Sequence, residues 1–582
     1  MSKAPKSYVR TVDVPRPRLG NNVADAERLI SVLKKDLGTG HIRFPMDLAL
    51  DFPGKLRQWN HRVKVVLFRD SRGWFLVDIQ EPEMDTDNPL FGLAVDLGTT
   101  RIVMRLVCLR ETISPASSGL SPRGDASGEP FTGSSGVSSP GHSSWESVTG
   151  SSSASPRGDG FGKPVTDSPS CSGIAFDNPQ VAAGPDILAR IHHGGTSRGR
   201  KELQELVING INEHIAILCR DMGIMPSRIL LMTVAGNSAM THLFLGMEAS
   251  FLIREPYIPA VNSPEPVRAS SLGLDLPPRA VVYLFPNIGS YFGGDLVSGL
   301  LFAGIHKKEN PCIMVDVGTN AEVVVGCREW LIACAGAAGP ALEGGVSRMG
   351  MTAGPGVIDR VKIDPSTGYV DIHTIDDALP LGICGSGMID LAAQLFLAGM
   401  LDIRGKFVPW VCGERYMEMD DEGEGGAAFL LVDRLHSGTG EDIVLTQIEM
   451  NSLTSSKAAM YSILQVIVEN TAGMEFSQLE KFYVAGTFGS FIDPASAISI
   501  GMLPDIDMDR FEVLGNSSLE GAAQLLLNPG DFDEIEKIRQ GITYIELNVN
   551  QEFMNIFSGA KFYPHTDISR FPSVKDTIKK VT

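Results

Sequence analysis

A chain of 582 residues is long enough for several domains, and its composition, 43% hydrophobic and 20% charged with 62 glycines, is globular and rich in turns. The formal net charge of −19 at pH 7 argues against non-specific attachment to nucleic acid or to an anionic membrane. The N-terminal stretch MSKAPKSYVRTVDVPRPRLG has no apolar leader core, and charges such as Asp295 and Asp390 interrupt the longest apolar runs. No signal peptide, no transmembrane helix and a cytoplasmic location are therefore expected.

In chain order, residues 1–40 read as a linker segment with one short amphipathic helix. Over Asp25–Leu37, the residues Ala26, Leu29, Ile30 and Leu33 share a face, and Gly38 can end the helix. Residues 41–89 read as a small α+β middle domain, in which RVKVVLFRDSRGWFLVDI forms two strands around a turn at Asp70 to Gly73. The strand–turn FGLAVDLGTTRIVMRL follows. From about 113 to 172 serine, glycine and proline dominate, with SPRGD occurring twice. This stretch buries too little apolar surface to offset its ordering entropy and reads as a disordered surface insertion, in which the RGD triplets are incidental.

Order resumes at FDNPQVAAGPDILARI, followed by a predicted helix at Lys201–Met222 and a buried strand, RILLMTVAG. Strands and helices then alternate, which implies an α/β fold with mixed sheets, dividing into units at 90–310 and 311–582. A long helix is expected over Leu453–Glu469, with Ala459, Met460, Ile463 and Ile467 near one face and Lys457 solvated. A second glycine-rich strand–turn, KFYVAGTFGSFID, follows at Lys481–Asp493.

Eight cysteines are scattered without a C-x-x-C pair. A disulfide framework is improbable at this density, and a locally bound iron–sulfur cluster needs thiolates only a few residues apart. Reduced thiols in apolar surroundings are expected, with no iron–sulfur cluster in this chain. His192 and His193 are adjacent and cannot both face one metal on a helix, and no zinc-ligand spacing occurs. Walker-lysine and G-x-S-x-G motifs are absent from the sequence.

The chemistry lies in two copies of one device, VDLGTT at Val95–Thr100 and VDVGTN at Val315–Asn320. Glycine permits the tight turn between two strands, and turn N–H groups with threonine hydroxyls suit phosphate oxygens. A carboxylate beside them repels phosphate unless a cation intervenes, and Mg²⁺ that keeps several waters resolves the conflict. Asp96 and Asp316 are thus the expected catalytic residues, acting on Mg²⁺ through water; Asp96 alternatively orients the attacking water. One copy is a hairpin with a polar turn. Two suggest a pair of subdomains that clamp a nucleoside triphosphate.

That constellation resembles the superfamily of acetate and sugar kinases, heat-shock 70 chaperones and actin. The resemblance implies two ribonuclease-H-like (actin-like ATPase) subdomains with mixed sheets, preceded by the small α+β domain, and ATP with Mg²⁺ as cofactors. Phosphate-1 would be Asp96, Gly98, Thr99 and Thr100, and phosphate-2 Asp316, Gly318, Thr319 and Asn320. The adenosine element would be Gly486, Thr487, Phe488 and Gly489. The ordered blocks NPQVAAGPDILARI, TVAGNSAMTHLFLG, FPNIGSYFGGD, VDVGTNAEVVVG, CAGAAGPALEGG, GICGSGMIDLAA and VAGTFGSFIDPASAISIGMLPD resemble one family, the reductive activators of corrinoid proteins. YVRTVDVPRPRLGNNVADAERLISVLKK, WNHRVKVVLFRDSRGWFLVDIQEPE and YIELNVNQEFMNIFSGAKFYPH extend the similarity over nearly the whole chain outside the insertion.

The resemblance implies coupling of ATP hydrolysis to reduction of Co(II) corrinoid to Co(I), a corrinoid protein of a methyltransferase system as partner, and a homodimer. Well-known members begin with a ferredoxin-like [2Fe-2S] domain, whereas this sequence has no cysteine before Cys108. A separate ferredoxin-like electron donor is therefore expected. Further departures are the insertion, Arg101 in place of a small hydroxyl residue and Thr487 in place of a glycine. Within GPALEGG, Glu343 with Gly344 and Gly345 either meets nucleotide or Mg²⁺-bound water, or is a carboxylate favoured at a helix N-terminus. Gly385 and Ser386 of GICGSGM offer either an anion site or close helix-on-strand packing. The alternatives in function are a non-redox kinase or ATPase of the same superfamily, and a nucleotide-binding regulator without hydrolysis. An activator of 2-hydroxyacyl-CoA dehydratases would need cysteines for an interfacial cluster, and no well-placed candidates occur.

Overall fold

Two runs of aliphatic residues, Phe91–Leu97 and Cys312–Val317, are buried along their whole length except at the penultimate position, where Asp96 and Asp316 stand. Each run becomes an inner strand of its own six-stranded sheet. The computed structural model describes residues 7–82, 89–113, 172–318, 321–336, 349–351, 353–419, 426–486, 492–547 and 551–581. The expected serine-rich insertion lies almost wholly outside these residues.

The first sheet runs Val267–Arg268, Val281–Leu284, Ile229–Gly236, Phe91–Leu97, Arg101–Cys108, Gly173–Asp177. The second runs Phe511–Gly515, Lys481–Ala485, Cys312–Val317, Ala321–Gly326, Leu331–Gly336, Ile542–Glu546. In both, three consecutive strands form an antiparallel meander, and two later strands join parallel to the first. This is the ribonuclease-H order, present twice, as the sequence leads one to expect. The register repeats as well: Asp96 stands opposite Ala235, and Asp316 opposite Ala485. The copies differ in their added strand, which pairs on the parallel edge of the first sheet and on the antiparallel edge of the second.

The last parallel strand of each meander-plus-two unit is followed by a helix, Gly294–Ala303 in the first half and Ser517–Leu527 in the second. These two helices pack directly together. A Cβ on Gly521 would lie 1.9 Å from the Ser298 carbonyl oxygen, so only glycine allows this approach. Thr233 Oγ1 donates to the Ala522 carbonyl (2.9 Å), and Arg105 forms a two-pronged ion pair with Glu520 (2.8 and 2.7 Å). The second half's helix is thereby seated on the first half's sheet.

Helix Asp25–Leu37 forms as expected, with Leu29 and Leu33 fully buried and Gly38 left-handed at φ 63°. It covers a five-stranded sheet ordered Ile42–Arg43, Gly73–Gln80, Arg62–Asp70, Val9–Asp13, Glu111–Ile113. That sheet takes strands from both sides of positions 40 and 89. It also touches both larger halves of the molecule, through Arg72 to Glu265 (2.7 Å) and Arg69 to Asp533 (2.9 and 2.7 Å).

The helix expected over Leu453–Glu469 spans Gln447–Gln465 and continues as a π-turn, Val466–Thr471. Its start is set by a capping box in which Thr446 and Glu449 satisfy each other's backbone N–H. Lys457 corrects an expectation. It is not solvated but fully buried, because residues 562–564 cross over its face of the helix. Its ammonium donates to the carbonyls of Phe562 and Pro564 and lies 4.8 Å from the Tyr563 ring centroid. Burial pushes its pKa well below the usual lysine value. Among the described residues no helix is long and apolar enough to cross a membrane.

Replacing Gly521 by alanine is expected to force the two central helices apart and destabilise the protein by about 1–3 kcal/mol, the usual cost of overpacking. Thermal unfolding of the variant measures this, and an unchanged Tm would contradict the helix contact.

Candidate functional site

The turn after Asp96 is too tight for a side chain at Gly98, where a Cβ would lie 2.3 Å from the Arg101 carbonyl oxygen. Asn237, directly after the parallel strand Ile229–Gly236, donates from Nδ2 to Thr99 Oγ1 (3.0 Å) while its Oδ1 caps Met240 N–H (2.9 Å). Because Thr99 Oγ1 accepts from Asn237, its hydroxyl hydrogen remains available to another acceptor. Arg101 is exposed.

Both oxygens of Asp96 are engaged from the other half of the molecule. Oδ1 accepts from Ser518 Oγ and Oδ2 from Asn516 Nδ2, each at 2.8 Å. Asn516 simultaneously caps helix Ser517–Leu527 by accepting from Leu519 N–H (2.9 Å). A carboxylate at a helix N-terminus is favoured by the macrodipole. Burial pushes the Asp96 carboxyl up from its ordinary value, and the Ser518 and Asn516 bonds oppose that rise.

The equivalent position in the first half's helix is Asp295. It is the second residue of Gly294–Ala303, as Ser518 is the second of Ser517–Leu527. Where the serine satisfies Asp96, Asp295 brings another negative charge toward Asp316. Burial, with the like charge of Asp96 and against the Leu296 N–H bond, pushes Asp295 up to about 7. Burial, with the like charges of Asp295 and Asp96, pushes Asp316 up to about 7. The cleft end of the second sheet is equally tight. Gly486 has φ +88°, and a Cβ there would lie 2.6 Å from Asp316 Oδ1.

Three carboxylates therefore crowd one cleft between the halves, and two of them are only partly ionised near neutrality. Such a donor set fits a hard cation. Among the described residues no group of three His, Cys, Asp or Glu side chains is arranged to enclose a metal ion directly. A Mg²⁺ ion held through water and phosphate oxygens fits this arrangement better than a closed protein cage.

Of the other residues singled out in the sequence, Gly318 ends the strand–turn after Asp316. Thr319, Asn320, Glu343, Gly344, Gly345, Thr487, Phe488 and Gly489 lie outside the described residues. Gly385 and Ser386 begin helix Gly385–Leu397, and both are buried. A Cβ on neighbouring Gly387 would stand 2.4 Å from the Ile358 carbonyl, so this helix start lies close against a strand. Sequence reasoning missed Asp295, Asn237, Asn516 and Ser518. A signal for Asp295 was present: it follows two glycines within an apolar run, where a carboxylate needs a reason. Cys219, Cys312, Cys327, Cys334, Cys384 and Cys412 are buried and in no disulfide, and burial pushes the thiols of Cys219, Cys312 and Cys412 up.

Sequence profiles match nearly all of the chain outside the insertion. Residues 2–86 match the RACo linker region, 166–308 the RACo middle region, and 310–575 the C-terminal domain of RACo, described as the ASKHA domain. A solved structure of a reductive activator for corrinoid, iron–sulfur protein superposes with a TM-score of 0.76 at 31% identity, covering 99% of this chain and 82% of that one. The corrinoid activation enzyme RamQ of Eubacterium limosum is 30% identical over 385 residues, 65% of this chain and 64% of that protein. A [Co(II) methylated amine-specific corrinoid protein] reductase of Methanosarcina barkeri is 25% identical over 296 residues, 47% of this chain and 49% of that protein. The matched stretches thus span less than two thirds of either curated relative.

The raised carboxyls set a pH dependence. Protons bind Asp295 and Asp316 more tightly in the folded state than at the ordinary value of 3.8. The stability they contribute is fully present below that value and is lost as pH rises through about 7. Nucleotide-free protein is expected to lose Tm between about pH 5 and pH 7.5, and Asp295→Asn to flatten that loss. Equal pH profiles for variant and wild type in thermal unfolding would contradict the charge crowding.

Proposed function

The chain belongs to the family of reductive activators of corrinoid proteins, and from that premise we propose that it is an ATPase that drives Co(II) corrinoid protein of a methyltransferase system to Co(I). The observation that carries the reading is the duplicated register. Asp96 and Asp316 stand at equivalent positions near the ends of the first strands of two ribonuclease-H-like sheets, and Asp295 and Asp316 feel each other's charge and that of Asp96.

ATP would lie across that cleft, its phosphates against the turns at Gly98–Thr100 and Gly318–Asn320 and its nucleoside toward Gly486–Gly489. Bound Mg²⁺ would neutralise charge on the β- and γ-phosphates. Asp96 and Asp316 would hold the ion through water. Asp295, with a carboxyl near 7, is suited to accept a proton from the attacking water, because a base works best when its pKa lies near the working pH. Asp96 has both oxygens occupied by Asn516 and Ser518, which favours Asp295 over Asp96 for that role. The same bonds connect nucleotide to the helix pair between the halves, so ATP binding and hydrolysis would shift the equilibrium between cleft geometries and thereby the grip on the corrinoid protein. The electron would come from a separate ferredoxin-like donor, since the described cysteines are dispersed through different apolar cores. A homodimer belongs to the same reading.

The test mixes the purified protein with Co(II) corrinoid protein, Mg²⁺, ATP, a reductant and a ferredoxin-type donor, and follows the cobalt spectrum. ATP-dependent appearance of Co(I) is expected. Failure with several corrinoid partners, or formation of a phosphorylated metabolite instead, would overturn the proposal. Asp295→Asn is expected to lower ATP turnover by about 10²–10⁴-fold, the usual range for loss of a general base.

A further inference from the structure

The Gly98–Thr100 turn is gripped from behind through three successive carbonyl oxygens. Asn178 Nδ2 donates to Gly98 O (2.9 Å), the Arg190 guanidinium to Thr99 O (2.6 Å), and the Asn178 backbone N–H to Thr100 O (2.8 Å). Both residues come from the segment after the insertion, where Asn178 also caps the 3₁₀ turn Pro179–Ala182. Arg190 lies on helix Ile187–His193, and its Nε donates to the Gly184 carbonyl (2.9 Å).

Arg190 is 1% exposed; among the described residues no carboxylate lies within ion-pair distance of it, and Asp186 acts on it only through its charge at longer range. Arginine stays charged in proteins, and a buried charge without a counterion carries a large desolvation penalty. Backbone carbonyls offset part of that penalty. The remainder calls for an anion, and what lies on the other side of the peptide unit is the turn that faces the cleft.

The carbonyl of Thr99 and the N–H of Thr100 belong to one peptide group, as do Gly98 O and Thr99 N–H. A donor on the carbonyl polarises the group and strengthens the N–H at its far side. Neither Thr99 nor Thr100 N–H is donated to a backbone carbonyl among the described residues. We infer that Arg190, with Asn178, is a positioning residue for the nucleotide's phosphates: it holds the turn's carbonyls outward and places a buried positive charge, with no carboxylate in direct contact among the described residues, one peptide group behind the phosphate-binding face. The inference rests on the nucleotide reading above. It assigns to Arg190 a part in discriminating a polyphosphate from an uncharged nucleoside, although the side chain never touches the ligand.

The experiment compares affinities for Mg²⁺-ATP and for adenosine, by calorimetry, in wild type, Arg190→Met, Arg190→Lys and Asn178→Ala, with thermal unfolding as the check on folding. Arg190→Met is expected to weaken ATP at least tenfold while leaving adenosine within about twofold. Arg190→Lys should recover part of the loss, and Asn178→Ala should weaken ATP severalfold with adenosine again unchanged. If Arg190→Met does not fold, Arg190→Lys and Asn178→Ala decide by the same ratio. Equal losses for ATP and adenosine, or no loss for ATP in any folded variant, would overturn the inference. Wild-type protein that binds no Mg²⁺-ATP would overturn the nucleotide reading itself, so the two failures are distinct.

Discussion

Crowded negative charge is the constraint on which the arrangement depends. Asp96, Asp295 and Asp316 converge between two halves of one chain; burial first, and then the like charges of their neighbours, raise the pKa values of Asp295 and Asp316. Asp295 accepts from the adjacent Leu296 N–H, whereas Asp96 is held from the opposite half. Asp96 receives two hydrogen bonds from Asn516 and Ser518, both at the start of a helix that belongs to the opposite half. The interaction that quiets this carboxylate is therefore also the one that ties the halves together, and the Gly521 contact between the central helices keeps that helix start within reach.

The near-symmetry of the halves clarifies what is specialised. Strand order, register and the position of the following helix are common to both, so these follow from the repeated pattern of apolar residues ending in a carboxylate. The difference is local: at the second position of the helix one copy has Ser518 and the other Asp295. A duplicated scaffold thus yields one carboxylate held from the opposite half and, in the other copy, two carboxyls that face each other's charge.

Much of this was legible in the sequence because it is local. The repeated V-D-x-G-T, the alternation of strands and helices, the helix at Asp25–Leu37 and the paired carboxylates each depend on residues a few positions apart. What was not legible depends on contacts between distant segments. Asn516 and Ser518 meet Asp96 across 420 and 422 positions of chain, and no spacing rule joins them. Lys457 looked solvated because its helix was judged alone; the segment that covers it lies more than a hundred positions later. Asp295 was visible but was weighed only as an interruption of an apolar run.

Lys457 also bears on how the molecule is made. Its acceptors are the carbonyls of Phe562 and Pro564, near the end of the sequence, while the helix that carries it is synthesised much earlier. A growing chain that has not yet delivered those carbonyls has a cation with no partner in the middle of an otherwise apolar helix face. The second half cannot close its core around that helix until residues 562–564 have been made. The first half has a debt of the same kind, since Asp96, Arg105 and Thr233 of its sheet take their partners from residues 516–522, so neither half consolidates fully before late segments have been made.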